Sequence, residues 1–320
     1  MASFHRCAGQ QSTLRKLLIM QTALNILILS DGKPGHRNQS LGLAEAIKRL
    51  SLSHIHIIDI TSRNPFSSSI QALKQAKSLP HPDLIIGAGH ATHVALLALG
   101  KKLDAPTAVL MKPSLPCALF DVCLIPQHDL KGAVYPDYII PTIGVLNRIQ
   151  DGTSSNIRGL MMIGGPSKEF AWNGEQLQLA ISEIVANSSL EWDLTDSRRT
   201  PPGFLDTISS LPITIHPHQQ TTPDWLPAQL AAAREAWVTQ DSVSMIFEAL
   251  SSNASVGILP LPPNKKLSKI SNTVQQLCAE QQAVYFFDWR KCHQLPASAP
   301  LREADRCARL LLQYFNINLP

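Results

Sequence analysis

The chain has 320 residues, enough for one large domain or two medium ones, and 44% hydrophobic against 16% charged residues supports a sizeable core and excludes global disorder. A formal net charge of +4 suits an anionic small ligand or a weak pull toward anionic lipid, and it is too small and too evenly spread for nucleic acid. No apolar run reaches the ~18 residues of a membrane-spanning helix.

Residues 1–24 are basic and polar, carry Arg6, Arg15 and Lys16 without an acid, and read as a disordered extension; an organelle-targeting segment or a true start at Met20 are the other readings. From there strands and helices alternate. Asn25–Ser30 (NILILS) is a short apolar run that predicts a first buried strand. A helical pattern through Leu41, Ala44, Ile47 and Leu50 follows, then strands over His54–Ile60 and Asp83–Gly87, a helix over Ala91–Leu99, and strands over Ala105–Leu110 and Asp121–Ile125. The alternation predicts parallel strand–helix–strand units.

A second such pattern starts near Gly159. It predicts a strand and glycine turn at GLMMIGGPS, a helix over Gln176–Ala186, and strands over Leu190–Leu194, Pro212–His216 and Ala236–Thr239. A helix over Val243–Leu250 and strands over Ser255–Pro260 and Ala283–Phe287 complete it. The polar stretch Asn147–Asn156 reads as the linker, dividing the chain into units 25–150 and 151–300. In the last segment, 301–320, Leu301, Ala304, Ala308, Leu311, Leu312 and Phe315 share one helical face. The other face carries charges of both signs, so a packing helix is expected rather than a membrane-surface one.

Chemistry is expected where strands end, because open parallel sheets bind ligands at their carboxyl edge. DGKPGHRNQS places Asp31, Lys33 and His36 in a glycine turn at a helix start, where free N–H groups attract anions. GAGHATH offers His90 and His93, a pair without the third ligand a metal needs, so no metal site is expected. MKPSLP carries Lys112 and Ser114, and IPQHD carries His128, all placed for substrate contact. IGGPS supplies Gly164, Gly165 and Ser167, where backbone N–H groups can meet a phosphate. SRRTP supplies Arg198 and Arg199, whose guanidinium forks suit a diphosphate, or form an ordinary solvated turn. In TQDSVSMIFEAL, Asp241 or Ser242 can cap a helix on which Ser244 and Glu248 share a face. A lone carboxylate among Val243, Met245, Ile246, Ala249 and Leu250 calls for a partner. The six cysteines contain no C-x-x-C pair and read as free thiols in a reducing compartment.

DGKPGHRNQSLGLAEA, IIGAGHATH, VLMKPSLP, LFDVCLIPQHD, IGGPSKEFAW, SRRTPP and WVTQDSVSMIFEAL occur in the order seen in the mitochondrial-fission/elongated-mitochondria family. From about Asn25 to Leu261 the chain resembles that family, which comprises a plant organelle-division protein and many bacterial relatives. The resemblance implies a GT-B-like α/β fold, two Rossmann-like domains with parallel sheets facing across a cleft. Its second half looks like the donor site of the GlcNAc transferase of peptidoglycan synthesis. That implies diphosphate and ribose roles for Ser242, Ser244 and Glu248, with Gly164, Gly165 and Ser167 nearby, and Arg198 is expected to join them at the diphosphate. The DGKPGH loop departs from the glycine-richer loop of that enzyme, which leaves the catalytic base open among His36, Asp31 and His90.

The expected activity is therefore metal-independent, cofactor-free sugar transfer from a nucleotide-diphosphate sugar to a cell-envelope glycan or lipid-linked acceptor. A cytoplasmic location is expected, with peripheral contact at the inner membrane as an option. The alternative is a non-catalytic adaptor that recruits a partner protein at a membrane surface, as the plant relative does. A nucleotide-sugar epimerase of the dinucleotide-binding kind would need G-x-G-x-x-G after the first strand, which DGKPGHRN does not supply.

Overall fold

The computed structural model describes residues 23–62, 64–130, 132, 134–150, 152, 155, 157–264 and 269–317. The expected N-terminal extension up to residue 22, and Asp151 in the expected linker, lie outside the described residues.

The first half builds a six-stranded, all-parallel sheet in the order β2-β1-β3-β4-β5-β6. Its strands are β1 (Leu24–Ser30), β2 (Ser53–Asp59), β3 (Leu84–Ala88), β4 (Thr107–Leu110), β5 (Val122–Pro126) and β6 (Ile139–Thr142). Helices α1 (Pro34–Leu50), α2 (Pro65–Ala76) and α3 (His93–Leu103) connect them. Ile26 and Ile28 pack on one side with Leu43 and Ile47 of α1, and Leu27 and Leu29 on the other with Leu96 and Leu99 of α3. A strand apolar at every position is what a sheet covered on both faces demands.

The second half repeats the plan in the order β12-β11-β10-β7-β8-β9, again all parallel. Its strands are β7 (Arg158–Met162), β8 (Glu191–Thr195), β9 (Ile213–His216), β10 (Glu235–Thr239), β11 (Ser255–Leu259) and β12 (Val284–Tyr285). Its helices are α4 (Gly174–Ala186), α5 (Trp225–Ala232), α6 (Val243–Leu250) and α7 (Lys269–Ala279). The late strand expected over Ala283–Phe287 is cut to two residues, because the chain turns helical from Phe286 to Trp289 and packs that turn edge-to-face on Trp237.

The last helix, α8 (Glu303–Tyr314), packs on the first domain. Cys307, Ala308, Leu311 and Leu312 are buried against β1 and α1. Arg49 pairs with Asp305 at 2.5 Å, and the Ile143 N–H donates to Glu303 at 2.8 Å. The chain thus crosses between domains twice, once between β6 and β7 and once before α8, which ties the two sheets together. No helix among the described residues is long and apolar enough to cross a membrane.

Candidate functional site

Each sheet has a point where successive connections leave in opposite directions, and that is where a crevice opens at the strand ends. In the first domain it lies between β1 and β3, in the second between β7 and β10.

At the first, Asp31 leaves β1 with its side chain only 4% exposed. Its carboxylate oxygens lie 3.0 and 2.9 Å from Nδ1 of His36 in the first turn of α1. An ionised carboxylate only accepts, so Nδ1 carries the proton and Nε2 keeps its lone pair. Gly89, at φ +89°, has no side chain because the His36 ring and Asp31 fill that space. The expected residues His36 and Asp31 are therefore a built pair. His90 begins the next turn, exposed, with its ring 5.5 Å from that of His93. His93 is buried, exchanges a hydrogen bond with Ser114 Oγ at 3.0 Å, and has its pKa lowered to about 4 by burial and by the nearby His90 and His36. The remaining acceptor-side residues reach the same sheet edge: Lys33, highly exposed, lies 3.6 Å from Asp31. Lys112 donates to the Asp129 carbonyl at 3.3 Å, and His128 sits 3.6 Å from the Asp129 carboxylate.

The second crevice differs from expectation in its details. Gly164 and Gly165 were expected to turn backbone N–H groups toward a phosphate. Instead the Gly164 N–H donates to Thr239 Oγ1 at 2.7 Å and the Gly165 N–H to Asp241 at 3.2 Å. The glycines are there because the Asp241 carboxylate and the Arg199 carbonyl occupy the room a Cβ would take. Asp241, one of two residues read as able to cap the helix, has a fully buried side chain and pairs with Arg199 at 2.6 Å. Ser242 holds the N-cap position of α6 without a side-chain cap bond. Ser167 Oγ accepts from the Glu169 and Phe170 N–H groups and shapes a turn. Arg199, not Arg198, turns toward the glycine loop; Arg198 lines a separate cleft of about 480 Å³ with Asp196 and His218. The sequence signal for Asp241 was its place two residues past the end of a strand, the edge at which parallel sheets bind ligands.

Glu248 faces the first domain. Burial pushes its pKa up to about 7, against the opposing effect of the nearby Asn38 side chain of α1. Ser244, one turn earlier, is exposed. Asn38 was missed by sequence reasoning; it lies two residues beyond His36, on the same helix. The Asp31–His36 pair and Asn38 thus stand on one domain, and Glu248, beside Asn38, on the other.

Comparison with known proteins fits this geometry. The family model described as mitochondrial fission ELM1 matches residues 34–315, past the stretch read from motifs and through α8. An uncharacterised protein of Rickettsia prowazekii is 25% identical over 353 residues, covering 92% of this chain and 99% of that one. Among solved structures, a Listeria monocytogenes protein described as a UDP-N-acetylglucosamine 2-epimerase aligns with a TM-score of 0.58 at 12% identity, covering 93% of this chain and 98% of its own. The glycosyltransferase SnogD of Streptomyces nogalater aligns at 0.52 and 14%, covering 93% and 97%. MurG of Acinetobacter baumannii aligns at 0.50 and 9%, covering 91% and 99%. These likenesses give the fold: two parallel α/β domains in the GT-B arrangement.

Proposed function

Because the chain belongs to the mitochondrial fission ELM1 family and has the GT-B fold, we propose that it is a glycosyltransferase using a nucleotide-diphosphate sugar. The observation that carries this reading is Glu248, a lone carboxylate on α6 that faces the opposite domain and meets Asn38 there. A carboxylate one to two turns into a helix lies a ribose's length from the helix start, at ~1.5 Å per residue, so the diphosphate would sit at Ser242 and Ser244. Arg199, held by buried Asp241, is the guanidinium best placed to face it, in preference to Arg198. Gly164, Gly165 and Ser167 shape the floor rather than donate.

In the proposed reaction the acceptor enters beside Lys33, Lys112, Ser114 and His128. His36 Nε2 takes the acceptor hydroxyl proton while Asp31 steadies the imidazolium that forms. The acceptor oxygen bonds to the anomeric carbon as the bond to the diphosphate oxygen breaks, and the electron pair leaves with the diphosphate. Arg199 and the α6 N-terminus offset that charge. A single base and no covalent intermediate give inversion. A cell-envelope glycan or lipid is the acceptor class we favour, reached from the cytoplasmic side of the membrane.

One observation favours a docking role beside or instead of catalysis: Phe66 and Ile70, one turn apart on α2, are 79% and 56% exposed. A thermal-shift screen with UDP, GDP, ADP and CMP sugars separates the two. An enzyme is stabilised by one nucleotide class and releases its nucleotide in the presence of acceptor; a pure adaptor responds to none.

A further inference from the structure

Helix α2 wears its large apolar residues on the outside. Its inner side carries Ser68, Ser69, Ala72 and Ala76, all buried, and the two serine hydroxyls donate to the Pro65 carbonyl at 2.8 and 2.7 Å. Its outer side carries Phe66 and Ile70, 79% and 56% exposed. At 3.6 residues per turn these two, Lys74 and Lys77 just past the helix end lie within roughly 80° of one another, and all four are exposed. A helix that covers a sheet ordinarily turns its large apolar side chains inward. Helix α3 lies on the same side of the first sheet, where Ala72 and Ala76 share a core with Ala95, Leu96 and Leu99. Its outer face repeats the order: exposed Val94, half-buried Leu97, then exposed Lys101, at spacings of three and four. Charge on this pair has one sign. Neither helix contains an aspartate or glutamate, and the one acid from Ile60 to Leu103 is Asp83, which accepts the Asn25 N–H at 2.8 Å.

We propose that the outer face of α2 and α3 is a contact for an anionic lipid surface: Phe66, Ile70 and Val94 enter the headgroup layer, and Lys74, Lys77 and Lys101 lie against its phosphates. Exposed apolar side chains beside lysines, with no acid to be repelled, is the chemistry that holds a helix at such a surface. The lysine stems can lie along the helices while their ammonium heads reach out. The face is about 18 Å long and about 20 Å wide, at ~1.5 Å per residue and ~10 Å per helix, smaller than the ~800 Å² each partner of a standard protein interface buries. A bilayer asks for no matching shape. Both helices start at the carboxyl edge of the sheet, so Phe66, Ile70 and Val94 stand toward the end of the domain that holds His36 and His90. The contact does not depend on sugar transfer, since an adaptor would use it equally.

The test is flotation of the full chain with vesicles of phosphatidylcholine alone and of phosphatidylcholine with one-third phosphatidylglycerol. Two double variants are compared, Phe66→Ser with Ile70→Ser and Lys74→Glu with Lys77→Glu, each with a melting curve. The expected result is binding to the anionic vesicles, about tenfold or more weaker on phosphatidylcholine alone and in about 0.5 M salt. Each double variant should lose about tenfold or more while melting as the unaltered chain does, because all four positions are exposed. Should a double variant melt lower, Phe66→Ala and Lys77→Gln singly replace it. No binding to the anionic vesicles overturns the proposal, as does binding that both variants keep. Loss in the lysine variant alone would reduce the contact to charge attraction and overturn the apolar part. Self-association in sedimentation velocity that Phe66→Ser with Ile70→Ser abolishes, without vesicle binding, would assign the face to a second copy of the chain instead.

Discussion

A carboxylate withdrawn from water is costly unless its lone pairs are filled, and Asp31 fills them with His36 and with the Lys33 N–H at 3.2 Å. The pairing fixes which imidazole nitrogen is basic, and that makes Asp31 separable from the fold. Asp31→Asn presents a donor or a carbonyl in place of the anion and loses the charge that favours imidazolium. Transfer should fall about 10²- to 10⁴-fold with nucleotide binding unchanged, measured by nucleotide release against calorimetry. Glu248 gives a pH signature. Burial raises its pKa from 4.5 to about 7, so between those values the folded chain holds a proton that the unfolded chain has released. Stability from this group is full below the unfolded value and is lost as pH rises through the folded one. Glu248→Gln should melt a few degrees above the unaltered chain at pH 8 and close to it at pH 4.5. A constant difference across that range would exclude a raised carboxyl here. At this scale the sequence singled out Asp31, His36 and Glu248 through their strand ends and helix face. It did not identify Asn38 or the Arg199–Asp241 pair, because nothing local distinguishes an amide or an ion pair that finds its partner across the fold.

Elements were legible where apolar periodicity was strong and obscure where polar residues masked it. β1, α6 and β11 were read within a residue or two because apolar residues dominate them. Helix α2 was missed: PFSSSIQALKQA begins with a run of serines that resembles a loop, yet Asn64 caps it by accepting the Phe66 and Ser67 N–H groups, and Pro65 opens the first turn. Strand β6 was missed because Pro141 argues against a strand. It is tolerated there because β6 lies at the edge of the sheet. The β7 turn was read as a phosphate cradle, and the geometry makes it a packing joint instead. Gly164→Ala would drive a methyl group into the Asp241 carboxylate and disturb its pair with Arg199. We expect a loss of about 1–3 kcal/mol in urea unfolding, together with weaker nucleotide binding. A silent Gly164→Ala would show that the loop has slack.

The whole molecule depends on the chain returning to where it started. Twin parallel domains were predictable from alternation alone, whereas the docking of α8 on the first domain was not, because an amphipathic pattern says that a face is buried and not against what. Leu311 is fully buried among residues of β1, α1 and their neighbours. Leu311→Ala should cost about 2–5 kcal/mol, a cavity-forming loss, while a helix lying loosely on the surface would lose under about 0.5 kcal/mol. The two crossings tie the domains together, and Asn38 and Glu248, 210 positions apart by the numbering, come to lie near each other. The central claim is that this crevice grips a nucleotide by its ribose. Crystals grown with whichever nucleoside diphosphate stabilises the protein should carry the ribose hydroxyls within hydrogen-bonding distance of Glu248 and the diphosphate at the start of α6. A nucleotide bound elsewhere, with its ribose away from Glu248, would contradict the account.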